Sequence, residues 1–278
     1  MYCMPRGIKL LNCESFWNEG YYGEGIKVGV IDSGCDINHI CLKDRIIKTK
    51  NFTNEGSQED VTDYFNHGTH ITGIIAGNGI DNGIIGVAPK CSIVVMKVLS
   101  RDGECQSSTL CDAINYAIGE KIDILNISIS GVVDKPIFHS VITDAYDKGI
   151  IMCASAGNNL DNQLSYPASY KEVIDVGACN FEGRVLKFSN SNSTIDLVCY
   201  GSNITSTYPG NRYAKSSGTS QATPHVSGAL ALLLEYFRKT YKRNPTNSEI
   251  KKFLMFYTTL IEDTPKELQG NGILKLDF

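Results

Sequence analysis

Five short runs of nearly unbroken apolar character constrain this fold more than any other feature of the chain. They are IKVGVID from Ile26, CSIVVMKVL from Cys91, IDILNISI from Ile122, IIMCAS from Ile150 and EVIDVGAC from Glu172. A strand with one face in water alternates polar and apolar residues, whereas strands that are apolar throughout belong to a sheet covered on both faces. The segments between them carry helical patterns: HITGIIAG at 70–77, STLCDAINYAIGEK at 108–121 and PIFHSVITDAYDKG at 136–149. Strand alternating with helix predicts a mostly parallel central sheet with helices on both faces, a three-layer α/β fold. Near the end, Thr246 and Glu249 form the Thr-x-x-Glu signature that opens a last helix. No internal repeat, low-complexity linker or compositional break divides the chain, so a single domain over 1–278 is expected.

The balance of charge and hydrophobicity excludes several functions. A net charge of −4 leaves no electrostatic footprint for nucleic acid. No run approaches the roughly 18 apolar residues of a membrane span. The first residues, MYCMPRGIKLLNCESFW, lack the apolar core of a secretory signal. Ten cysteines are scattered without a C-x-x-C pair, which suits reduced thiols. A cytoplasmic protein is the expectation.

In sheets of this kind, reactive groups lie just beyond the carboxyl ends of the strands. Asp32 ends the first apolar run, in VIDSG; it either starts the turn with Ser33 and Gly34 or is a buried carboxylate that orients a histidine. His67, in NHGTH, stands at the mouth of an apolar helix. A metal site with His70 competes poorly, because zincins need two histidines four apart with a glutamate between them. A cofactor reading of the glycines in AGNGIDNGIIG is also poor, since they follow a helix and lack the G-x-G-x-x-G register. Asn158, in CASAGNN, is a turn former or a donor to an oxyanion. Ser220 lies in SSGTSQATPHVSGALALLLE, where a glycine-containing turn enters a helix apolar almost all round. It either caps that helix or is presented there as a nucleophile.

Together VIDSG, NHGTH, ASAGN and GTSQATPHVSGALALL resemble the four signatures of the subtilisin-like serine proteases, in the order Asp, His, Asn, Ser. The likeness extends through KNFTNE, GVAPKCSIVVMKVL, KIDILNISISG, KFSNSNSTIDLV and the final GNGILKL, and is greatest to the bacterial intracellular subtilisins. It implies a subtilisin-like fold and a serine endopeptidase of intracellular protein turnover. Its partners would be polypeptide substrates, with neither nucleic acid nor membrane, and monomer and homodimer both stay open. A dedicated processing protease and a peptide-binding pseudoprotease are the alternatives. The resemblance makes Ser220 the nucleophile, His67 its general base, Asp32 the group that orients His67, and Asn158 an oxyanion-hole donor. It places Ser128, Ile129, Ser130 and Gly131 on one wall of the cleft for the substrate's P1 side chain, with Ser155, Ala156 and Gly157 on the facing wall. Arg101, Asp102 and Gly103 would pair with an extended substrate.

Departures from the family pattern include Gln221 where methionine usually follows the nucleophile, and Ser130-Gly131 where two glycines are common. The short inhibitory pro-segment usual in intracellular members is not seen. No cofactor is required for the chemistry. Many members bind structural calcium, in a loop aligned here with GNGIDNGIIG. Cys41 and Ile80 stand where two ligands are expected, leaving Asn78, Asp81 and Asn82 as a weakened set.

Overall fold

A computed structural model describes residues 2–131 and 133–277. Among the described residues eleven strands are found: β1 Lys27–Asp32, β2 Ile46–Asn51, β3 Ser92–Lys97, β4 Ile124–Ile127, β5 Ile151–Ser155, β6 Val173–Cys179, β7 Leu197–Tyr200, β8 Ile204–Tyr208, β9 Arg212–Ser216, β10 Thr258–Thr259 and β11 Ile273–Leu274. The helices are α1 Arg6–Leu11, α2 Glu14–Asn18, α3 Gly68–Ala76, α4 Ser107–Gly119, α5 Pro136–Asp147, α6 Thr219–Tyr241, α7 Asn247–Phe256 and α8 Lys266–Gln269. One sheet runs in the order β10-β11-β7-β6-β5-β4-β1-β3-β2, while β8 and β9 form a separate antiparallel hairpin. Its pairings are parallel except the short β10–β11 edge.

All five apolar runs are strands, and their period of two sorts side chains onto opposite faces. Val28, Val30, Ile93, Val95, Ile124, Ile151 and Cys153 pack with α3 and α6. Ile31, Val94, Met96, Leu125, Ile127, Met152 and Ala154 pack with α4 and α5. Gly29 in β1 has no room for a side chain: a Cβ there would come within 2.6 Å of Met96 Cε and 2.7 Å of Leu125 Cδ2.

Helix α6 is the axle of one layer. Every residue from Gln221 to Glu235 is buried, as its apolar circumference predicts. Each fully buried leucine there stabilises the fold by about 1.5–3 kcal/mol, so Leu230→Ala would open a cavity beneath the sheet. Glu235 escapes the usual penalty for a buried charge, because its carboxylate accepts the N–H groups of Tyr22, Gly23 and Glu24 and faces Lys239.

The chain reverses direction across the sheet at β1, which lies between β3 and β4. That switch point opens a crevice at the strand ends. Asp32 is the last residue of β1 and therefore sits at its edge.

Candidate active site

Asp32 is 1% exposed, and both its oxygens meet the histidine that starts α3: His67 Nδ1 lies 2.8 Å from Oδ1 and 3.0 Å from Oδ2. Burial alone would hold His67 neutral. The charge and hydrogen bond of Asp32 outweigh it, with Asp63 adding to them, and the pKa is raised above the ordinary 6.5. With Nδ1–H directed at the carboxylate, the neutral ring keeps its lone pair on Nε2.

His70, three residues on, does not share that site. Its Nε2 donates to the Ile204 carbonyl at 3.0 Å, with Ala214 O at 3.3 Å, tying α3 to the β8–β9 hairpin. Burial first, then the neighbouring His67, push its pKa down to about 4.

Behind Asp32 lies a polar layer that the sequence reading misses. Ser33 N donates to Asp32 Oδ1 at 2.7 Å, and Ser33 Oγ donates to Asp63 Oδ1 at 2.7 Å. Asp63 Oδ2 also accepts the backbone N–H and the hydroxyl of Thr69, at 2.8 and 2.6 Å, so it holds the first turn of α3. Lys97 ends β3 with a buried ammonium that donates to the carbonyls of Ser33 and Thr62 at 2.9 and 2.8 Å. Burial lowers its pKa, against the opposing pull of Asp63, Glu55 and Asp60. The signal for Lys97 was legible: a lysine closing the run SIVVMK has nowhere to go but the crevice.

Ser220 is the second residue of α6. Gly218, not Ser220, occupies the N-cap position, and the first helical N–H, that of Thr219, is taken by the Asn158 side chain. The capping alternative therefore fails, and the Ser220 hydroxyl is left for other work. It donates to the Ser128 carbonyl at 3.1 Å. Among the described residues no acceptor takes the Ser220 N–H.

Asn158 follows β5 on a loop held by Asn190, whose side chain accepts Asn159 N and whose N–H donates to Gly157 O. The amide oxygen of Asn158 accepts both the N–H and the hydroxyl of Thr219, at 2.9 and 3.0 Å. A backbone N–H can only donate, which fixes the amide orientation and leaves Nδ2 free. That nitrogen would lie 3.5 Å from a Cβ on Gly218, on the Ser220 side of the loop.

The two expected cleft walls leave the sheet side by side, because β4 and β5 are parallel neighbours with Ile127 opposite Ala154. Gly131 exchanges backbone hydrogen bonds with Tyr166 and accepts from Ser165 Oγ, so residues 165–166 brace the Ser128–Gly131 wall. Ile129, Ser130, Gly131 and Tyr166 also line a neighbouring cavity of about 210 Å³ with Leu110 and Phe138. Ser155 and Ala156 are buried, and Gly157 has a φ of +103° that favours glycine. Arg101, Asp102 and Gly103 form a tight turn closed by Gly103 N–H to Ser100 O. The backbone that follows at 104–106 is irregular: Glu104 accepts from Ser100 N–H and donates its own N–H to Ser100 Oγ, and Gln106 is extended.

The loop after α3 is bonded largely within the protein. Asn78 Oδ1 accepts Ile80 N, and the carbonyls of Gly77, Ile80, Gly83 and Ile84 accept backbone N–H groups. Cys41 Sγ and Tyr213 OH meet at 3.2 Å, and a Cβ on Gly83 would come within 2.8 Å of both. Asp81 and Asn82 are exposed, each with a positive φ.

A family model described as the subtilase family matches residues 23–272. The chain belongs to the subtilase family. This subtilase is 42% identical to the intracellular serine protease of Paenibacillus polymyxa, an alignment covering 98% of this chain and 85% of that protein. It is also 42% identical to the major intracellular serine protease of Bacillus subtilis (strain 168), over 98% of this chain and 88% of that protein. Subtilisin E of the same strain is 36% identical over 83% of this chain and 61% of its own length. None of the helices described is long and apolar enough to cross a membrane.

Proposed function

We propose that this subtilase is an intracellular endopeptidase that cleaves extended polypeptides through an acyl-enzyme on Ser220. The observation that carries the reading is the two-oxygen contact of buried Asp32 with His67 Nδ1, at the same strand-end crevice as Ser220. When a peptide enters, the Ser220 hydroxyl turns from the Ser128 carbonyl to His67 Nε2. His67 takes the proton as Oγ bonds to the carbonyl carbon. The carbonyl oxygen becomes an oxyanion, received by Asn158 Nδ2 and Ser220 N–H at the positive end of α6. His67 then protonates the leaving amine as the C–N bond breaks, and water repeats the sequence to free the acid. Asp32 keeps its negative charge throughout and stabilises the imidazolium.

Backbone pairing at the Arg101–Gly103 segment gives affinity without demanding one sequence, which favours general turnover over a dedicated processing role. No metal takes part in these steps, and the internal bonds of the 77–86 loop support folding without calcium there. The names of the relatives support the intracellular setting. Labelling by a fluorophosphonate, followed by peptide mapping, tests the assignment. Modification confined to Ser220 is expected, and modification elsewhere overturns it. Cleavage of an unfolded protein at many sites supports turnover, whereas a single cut supports processing.

A further inference from the structure

Ser227 puts a hydroxyl inside the most apolar stretch of α6, HVSGALALLLE, where it is 0% exposed. Its partner is Asn126, which interrupts the apolar strand β4 and is buried as completely. Left alone, each would give up its bonds to water for nothing. Their positions explain the pairing. Ser227 follows Ser220 by seven residues on α6, about two turns, so the two share a helix face. Asn126 and Ser128 are two residues apart at the end of β4, on the face that Ile124 presents to α6. Helix and strand are therefore joined by two rungs, Ser227 with Asn126 at 2.9 Å and Ser220 with Ser128 at 3.1 Å. Asn126 links the rungs, because its Nδ2 lies 2.9 Å from Ser128 Oγ.

The direction of every bond follows from one end. The Ser220 carbonyl can only accept, and Pro224 deprives it of its usual helical donor. The Ser128 hydroxyl must give its proton to that carbonyl and accept at its own oxygen. What it accepts is the Asn126 amide N–H, which turns the amide oxygen towards Ser227. That oxygen can only accept, so the Ser227 hydroxyl donates. A one-way chain of hydrogen bonds thus runs from Ser227 through Asn126 and Ser128 to the backbone of the nucleophile. Without its first hydroxyl, the Asn126 oxygen is a buried acceptor with no donor among the described residues. The amide that steadies Ser128 then loses its fixed point. We propose that Ser227 is a positioning residue: through Asn126 and Ser128 it holds the Ser220 backbone, and with it the reacting hydroxyl and the N–H of the oxyanion hole. It touches neither substrate nor reacting atoms, and its role rests on the endopeptidase reading above.

The test compares the unsubstituted protein with Ser227→Ala, Ser128→Ala and the double variant on one fluorogenic peptide. Active sites are counted by labelling to completion with a fluorophosphonate, so that misfolded material does not enter the rates. In Ser227→Ala, kcat per site should fall about tenfold, less than the roughly 100-fold that a 1 Å misplacement can cost. The rate constant of labelling should fall in parallel. KM should stay within about twofold, because the lost contact is not made with substrate. The double variant should be slower than the slower single variant by no more than about twofold, since both substitutions cut the same chain. An unchanged kcat per site in Ser227→Ala overturns the proposal even if Tm drops, because the bond would then serve stability alone. Losses that multiply in the double variant overturn it too. Ser227→Cys keeps the size with a weaker donor and takes the place of Ser227→Ala should that variant fail to fold. Its kcat per site should fall below that of the unsubstituted protein, and equality overturns the proposal. Failure of the unsubstituted protein to cleave the peptide or to label at Ser220 would instead reject the endopeptidase reading, and this one with it.

Discussion

Ser128 and Ser220 exchange a pair of hydrogen bonds: each hydroxyl donates to the other's backbone carbonyl at 3.1 Å. The cause lies one turn along α6. The Ser220 carbonyl would ordinarily accept the N–H of residue 224, but Pro224 has none. Ser128 supplies the missing donor and so ties the end of β4 to the helix mouth. In Ser128→Ala the carbonyl is left unpaired, and stability should fall by about 1–3 kcal/mol. Labelling of Ser220 should persist, because its hydroxyl keeps the Ser128 carbonyl and the Asp32–His67 pair is untouched. Ser220→Ala should do the opposite, abolishing labelling with little change in Tm. Its turnover should drop by a factor on the order of 10⁶, the scale measured in subtilisin itself. Thermal melts and labelling of the two variants side by side check both expectations.

The pH profile follows from the charges around His67. Burial disfavours the imidazolium, but Asp32 and then Asp63 favour it more strongly, so the folded protein holds this proton above pH 6.5. Only the neutral ring can accept the serine proton, so kcat/KM should rise with pH through a midpoint above 6.5. Asp63→Asn removes one of the two negative charges while keeping an acceptor for Thr69, and the midpoint should move down. A rate profile measured from pH 5.5 to 9 decides this. A midpoint that stays put in Asp63→Asn would reduce Asp63 to a purely structural role.

What was legible in the sequence tracks how much of each element is buried. Strands β1 and β3 to β6 are covered on both faces and read as unbroken apolar runs. The edge strand β2, IIKTKN, exposes Ile47 and Lys48 and gives no such run. The β8–β9 hairpin is polar, yet Ser206 and Thr207 are fully buried because their hydroxyls donate to the carbonyls of His70 and Thr69. No periodicity announces that. Asp32, His67 and Ser220 stood out as candidates from motifs at strand ends and helix mouths, and the Asp32–His67 contact joins two of them. Asp63 did not stand out, because its partners Ser33 and Thr69 are joined to it only by the folded loop.

Asp175 makes a second pH dependence, in stability. It is 1% exposed in β6, accepts from Thr194 on Oδ2, and its Oδ1 has no partner among the described residues. Burial raises its pKa to about 7; Thr194 and Lys251 oppose the rise, and Asp196 adds to it. The folded chain therefore holds a proton that the unfolded chain, with an ordinary value of 3.8, has released. Stability from this group is complete at low pH and is lost as pH climbs towards and through 7. The Tm should decline over that window, and Asp175→Asn, which cannot ionise, should show a flatter curve. Equal slopes for the two proteins in melts between pH 5 and 8.5 would exclude the residue as the source.

The loop after α3 should hold its shape without calcium, because the Asn78 amide oxygen and the carbonyls of Gly77, Ile80, Gly83 and Ile84 already accept N–H groups of the protein. The first strand-like residues join in: Cys3 N donates to Gly83 O, and Ile85 N donates to Cys3 O, which clamps the chain start onto the loop. A site filled to 100 times its Kd would add about 2.7 kcal/mol. In a domain of this size that shifts Tm by roughly 5–10 °C, at about 2–4 °C for each kcal/mol. Melts in millimolar calcium and in chelator should instead coincide to within about 2 °C, and Asp81→Ala should match the unsubstituted protein in both. Tyr213→Phe deletes the hydroxyl that meets Cys41, so it should lower Tm equally in both solutions. A large calcium-dependent gain that disappears in Asp81→Ala would mean that the loop reopens around an ion, with Asp81 turning inward to bind it.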